Sequence, residues 1–152
     1  MLKDNYNVNI IGRQTYGGEE HDEQGEISLS TTGSYNERGD IQLISYKEYD
    51  EDDPKLSRTA FLKVEPGRVT MSRTGSGTKL ILEKGKRHLC LYDTGFGALS
   101  VGVFTSEMNS SLSRSGGRLS VKYTLDIDSA LSSSNEIEVE IRPREECDEQ
   151  EV

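Results

Sequence analysis

Tryptophan is absent from this chain, and phenylalanine, methionine and proline occur three times each. The chain can build a core, but not a generous one. The only cysteines are Cys90 and Cys147. Two thiols, one of them in a polar terminal stretch, do not make the stapled framework of a small secreted domain. A reducing, cytoplasmic setting is therefore expected. No run approaches the roughly 18 apolar residues of a membrane-spanning helix. Met1-Leu2-Lys3-Asp4-Asn5 opens no basic-then-apolar leader. Neither a targeting segment nor a membrane partner is expected. Helical spacing of apolar residues is also lacking, the nearest case being Asp128-Ser129-Ala130-Leu131, a candidate single turn capped by Asp128.

Hydrophobic residues form 32% of the 152 residues and charged residues 30%. A core that thin suits strands buried on one face and wet on the other. The net charge of −9 is unevenly spread. Residues 54–125 hold 12 bases against 4 acids, whereas residues 18–53 hold 12 acids and 2 bases. Basic strands pairing with acidic neighbours account for this. A basic face for an anion is the sharper reading. Clustered bases interleaved with aromatics are missing, so no nucleic-acid partner is expected.

Turn signals recur from Gly17-Gly18 to Ser132–Asn135 and leave about ten segments, most alternating with period two. In residues 118–127, Leu119, Val121, Tyr123, Leu125 and Ile127 share one face, and Arg118, Ser120, Lys122, Thr124 and Asp126 the other. Ile137, Val139 and Ile141 repeat the pattern. So do Tyr6, Val8, Ile10, Gly12 and Gln14, and then Ile27, Leu29, Thr31, Gly33 and Tyr35. Shorter rows are Ile44-Tyr46-Glu48, Val69-Met71-Arg73 and Leu99-Val101-Val103. The fold expected is all-β, an antiparallel up-and-down barrel of about eight to ten strands, because closure removes the edges of a long meander. A two-sheet sandwich is the alternative. Residues 1–142 would form the barrel. Residues 143–152, acidic and poor in apolar side chains, would form a disordered tail.

Several runs resemble the YwiB-like family of small bacterial β-barrel proteins. They are Thr32-Gly33-Ser34-Tyr35, Leu43-Ile44-Ser45-Tyr46-Lys47-Glu48, Arg68-Val69-Thr70-Met71-Ser72-Arg73-Thr74-Gly75, His88-Leu89-Cys90-Leu91-Tyr92-Asp93-Thr94-Gly95-Phe96-Gly97, and Gly116-Gly117-Arg118-Leu119 through Ile127. The resemblance spans nearly the whole chain. It implies a lipocalin-like, or calycin-type, barrel, and it brings no ligand, cofactor or catalytic residue with it.

Glu48 and Arg73 each continue an apolar row. If those rows face inward, a carboxylate and a guanidinium lie inside or at the mouth of the barrel, where charges must be paired or bind a ligand. Tyr46, Tyr92 and Tyr123 would supply ring faces and hydroxyls beside them. His88 joins this candidate set of ligand-binding residues, although Leu89 and Leu91 compete with His88 and Cys90 for the inner face. A Cys–His nucleophile pair would need an accessible, electropositive setting. Asp93-Thr94-Gly95 spells the aspartic-protease tripeptide, but that chemistry takes two such carboxylates sharing a proton, and one copy is present. It reads better as a turn. The acidic runs Glu19-Glu20-His21-Asp22-Glu23 and Asp50-Glu51-Asp52-Asp53 lack the ligand spacing of a calcium loop. No metal or other cofactor is expected. Gly75-Ser76-Gly77-Thr78 has no following helix to make it a phosphate loop. Ser110–Ser115 reads as a polar loop that could act as a flexible lid.

The function expected is therefore binding of a small, polar or anionic ligand without catalysis. A protein-interaction module working through edge strands or a charged face, including a homo-oligomer, is one alternative. A hydrolase using Asp93, His88 or Glu48 is the other.

Overall fold

The computed structural model describes residues 5–16, 23–49, 57–75, 77–93, 97–127 and 130–144. Within them the alternating segments form ten strands: β1 (Tyr6–Tyr16), β2 (Glu23–Arg38), β3 (Ile41–Tyr49), β4 (Ser57–Glu65), β5 (Arg68–Arg73), β6 (Lys79–Glu83), β7 (Arg87–Asp93), β8 (Ala98–Ser110), β9 (Gly117–Ile127) and β10 (Ala130–Pro143). Each strand pairs antiparallel with its neighbours in sequence, and β1 closes onto β10. That closing ladder runs from Tyr6↔Pro143 to Tyr16↔Ser133, so the first and last strands cover each other's edges. The expected barrel is present with ten strands, and no described residue is helical. Ala130 and Leu131 belong to β10 instead of a helical turn. The acidic stretch from residue 145 lies outside the described residues.

Two-residue turns set the lower end. Arg38↔Ile41 and Glu65↔Arg68 leave only Gly39-Asp40 and Pro66-Gly67 to reverse the chain. Gly39 (φ 62°) and Gly67 (φ 77°) take the left-handed backbone that such tight hairpins require. The core fills the barrel above them. Val8, Leu82, Val103, Val121, Val139 and Ile141 have no exposed surface, and each such side chain stabilises the fold by about 1.5–3 kcal/mol.

The lower end is plugged by the β8–β9 connection. Leu112 is buried there, and its carbonyl accepts from Gln42 Nε2 at 2.9 Å. The same amide donates to Tyr35 Oη, which in turn donates to Glu37. Tyr6 meets Tyr35 edge to face with centroids 5.7 Å apart, and donates to Arg114 O. The segment read from the sequence as a polar loop is thus a pinned stopper. Its turn is closed by reciprocal Ser113–Gly116 backbone bonds.

The upper end is open. There the apolar rows run past the packed core, leaving Ile27 74% and Ile127 38% exposed. β8 alternates inward through Val101, Val103 and Thr105. A bulge between Thr105 and Glu107 then resets the rhythm, so that Met108 packs on the core.

One seam in the wall differs from the rest. Among the described residues, β6 and β7 share the single register pair Lys79↔Leu91. Side chains make up part of the difference. Ile81 N–H donates to Cys90 Sγ at 3.3 Å, Asp93 N–H donates to Thr78 Oγ1 at 2.9 Å, and His88 Nε2 lies 2.8 Å from Glu83 Oε1. His88 and Cys90 therefore turn inward, with Cys90 buried. Leu89 and Leu91 are left on the outer face, 70% and 51% exposed.

Candidate functional site

The register across β3, β4 and β5 builds the site. Tyr46 lies opposite Ala60, and Ala60 opposite Arg73. Ala60 is buried, and its methyl group is all that stands between the two inward side chains. Arg73 reaches over it to Glu48, two strands away. Nε lies 2.7 Å from Oε1 and Nη2 lies 3.3 Å from Oε2. This is the forked geometry that makes arginine–carboxylate pairs strong. The two side chains are about two-thirds and three-quarters covered, with relative exposures of 32% and 25%.

Three phenols surround that pair. Tyr46 is 3% exposed. Burial, then the Glu48 carboxylate, pushes its hydroxyl up to about 12. Burial, then Tyr92, does the same for Tyr123, also to about 12. Burial opposes the charge of Arg73, but the hydrogen bond and charge of Glu48 outweigh it, so Arg73 is held more firmly protonated than usual. At neutral pH the site therefore presents a fixed cation, a carboxylate already engaged by it, and neutral phenols able to donate. Tyr46 and Tyr123 both border the space above the pair.

These groups line a cavity of about 330 Å³ that opens at the upper end. Its walls also carry Ile10, Leu29, Met71, Leu80, Leu125 and Ile137, with Gln14, Thr78 and Asn135 among them. Five of the six residues singled out from the sequence (Tyr46, Glu48, Arg73, Tyr92 and Tyr123) meet here. His88 does not. It sits at the β6–β7 seam, where its hydrogen bond holds the Glu83 carboxyl below the usual range. Ile10, Leu29, Met71, Leu125 and Ile137 lie on rows already read from the sequence, whereas Ala60 and Leu80 went unmarked. The available signal was the small residue in the row Ala60-Leu62-Val64.

The rival chemistries find no assembled site among the described residues. Cys90 is buried, its thiol is pushed up by burial, and it faces the Ile81 amide instead of the His88 ring. The Asp93 carboxylate accepts from Gly77 N–H at 3.3 Å, tying β7 to the β5–β6 turn. Residues 94–96, Glu19-Glu20-His21-Asp22 and Asp50-Glu51-Asp52-Asp53 lie outside the described residues. Within those described, no three of His, Cys, Asp or Glu are grouped to hold a metal. No helix among them is long and apolar enough to cross a membrane.

A ten-stranded antiparallel barrel, stoppered below and hollow above, defines a calyx-shaped β-barrel protein. The chain belongs to the DUF1934 family, described as a domain of unknown function, whose profile matches residues 8–139. Its fold is similar to that in the crystal structure of the ywiB protein from Bacillus subtilis, with a TM-score of 0.74 and 20% sequence identity. That match covers 95% of this chain and 96% of the other. Comparison with the curated proteins finds no match.

Proposed function

We propose that the barrel binds a small molecule in the upper cavity, with an acceptor-rich, anionic head group such as a carboxylate set against Arg73 and the tyrosine hydroxyls. The supporting observation is the cluster itself: Arg73 among Tyr46, Tyr92 and Tyr123, facing a space of about 330 Å³. That volume lies within the usual span of small-molecule sites, about 300–1,000 Å³. Glu48 spends both oxygens on Arg73. A cationic head would have to compete with that fork, whereas an anion can take the donors left over. The aliphatic walls would hold an apolar body. The reading is of a binding protein, because Glu48 is held by Arg73 instead of standing free as an acid or base. The free, buried Cys90 thiol supports a cytoplasmic setting.

Native mass spectrometry of freshly purified protein would look for a retained small molecule. Calorimetric titration would compare small aliphatic and aromatic carboxylates with the amines of the same skeletons. Carboxylates should bind and amines should not. Arg73→Met should weaken binding by at least about tenfold, the loss of one charge-assisted hydrogen bond. Equal binding of acids and amines, or indifference to Arg73→Met, would remove the proposal.

A further inference from the structure

The outside of a barrel wall curves outward, yet across β2 to β6 this one carries a groove of about 550 Å³. Its floor is built of short side chains: Ser34, Ser45, Thr70 and Ser72. Ser34 and Ser45 stand in register, their hydroxyls 2.6 Å apart. Beside Ser34, a Cβ on Gly33 would collide with the Ser45 carbonyl oxygen, so no side chain fits between the strands there. Taller side chains rise around this floor. Leu43 and Phe61 are 42% and 43% exposed, and Ile81 is half-buried on the far side. The apolar strip continues past the groove onto Leu91, opposite Lys79, and Leu89. It thereby reaches the thinly paired β6–β7 seam.

Charge narrows the occupant. The groove is lined by Lys63, Arg68 and Lys79 against the single acid Glu65, which lies 3.5 Å from Arg68. A basic patch on a chain of net charge −9 is a local departure from the whole. A second copy meeting this face across a two-fold axis would set lysines against lysines. Single-stranded nucleic acid is held by stacking platforms, and Phe61 is the only ring in the lining.

We propose that this groove docks an acidic, extended polypeptide segment of another protein. One apolar side chain of that segment sits between Leu43, Phe61 and Ile81, and its carboxylates lie on Lys63, Arg68 and Lys79.

The test uses the full chain and a fluorescein-labelled peptide of alternating Glu and Leu, followed by anisotropy. A Lys–Leu peptide of equal length, phosphatidylglycerol vesicles and an oligothymidylate serve as parallel probes. The Glu–Leu peptide should bind saturably and more weakly as salt rises, and its amide shifts should map to β3–β6. The double variant Lys63→Glu/Lys79→Glu should lose at least about tenfold in affinity, and Phe61→Ser should lose a similar amount. All three positions face solvent, and a matched thermal melt confirms that each variant is folded. Arg73→Met, in the separate upper cavity, should bind the peptide as the parent does. Failure of the Glu–Leu peptide to bind, equal binding of the Lys–Leu peptide, unaffected surface variants, or binding confined to vesicles or oligothymidylate would each overturn the proposal.

Discussion

Replacing Arg73 by methionine removes the cation but keeps the stem, so it isolates the charge pair from the packing around it. The Glu48 contacts at 2.7 and 3.3 Å are forked, and the two side chains are 32% and 25% exposed. A fully exposed pair contributes about 0–1 kcal/mol. Breaking a fully buried one costs about 3–5 kcal/mol, because a lone charge stays behind. A pair two-thirds to three-quarters covered falls between, so Arg73→Met should destabilise the barrel by about 2 kcal/mol. For a chain of this length that corresponds to a drop in Tm of about 4–8 °C. Glu48→Gln should cost less, about 1 kcal/mol, since the amide oxygen still accepts one hydrogen bond. The double variant should be more stable than the sum of the singles implies, by about 1–2 kcal/mol, because neither partner is then stranded. Urea denaturation of the four proteins, at constant m-value, measures the cycle. Strict additivity, or both singles within about 0.5 kcal/mol of the parent, would refute the view that this is a coupled, partly desolvated pair. The double variant also separates stability from binding, since it should stay folded while losing the anion.

Tyr46 and Tyr123 are raised from 10.0 to about 12, and Tyr35 is raised as well, chiefly by burial. A raised folded-state value means their contribution is fully present below pH 10 and lost as pH climbs toward 12. Three such groups steepen the loss to about 4 kcal/mol per pH unit. Tyrosinate absorbance should rise abruptly, together with unfolding by circular dichroism, and a smooth titration of all tyrosines in the folded protein would contradict this. Gly33→Ala sets propensity against geometry: a glycine in a strand favours replacement by about 0.5–1 kcal/mol, but the new methyl meets the Ser45 carbonyl. Chemical denaturation should show a net loss of about 2–3 kcal/mol, and a stabilised variant would show that β2 and β3 can separate there.

The strands were legible because a period of two leaves its mark on every residue. In Leu119, Val121, Tyr123, Leu125 and Ile127 the inner face was written out directly. Glu48 and Arg73 stood out because charge at the end of an apolar row needs a partner. What alternation cannot carry is anything set by a neighbour strand. His88 and Cys90 alternate with Leu89 and Leu91, so either pair could have faced inward. The choice is made by β8, where Val101 and Val103 lie opposite Cys90 and His88. The bulge at residues 105–107 broke the rhythm midway along β8. Leu112 gave no sign of being a stopper, since one leucine in a serine-rich loop has no period at all. The role of Ala60 was invisible for a related reason. It matters for what it leaves empty between Tyr46 and Arg73, and sequence patterns record what is present.

Pairing the sixth residue with the hundred and forty-third has a consequence for synthesis. A ribosome releases the N-terminal strand long before its final neighbour exists. At about 5–20 residues per second the wait lasts many seconds. Throughout that interval the nascent meander presents an unsatisfied flank to the crowded cell. Premature termination anywhere upstream of β10 would make the exposure permanent, leaving a ribbon open to aggregation in place of a vessel.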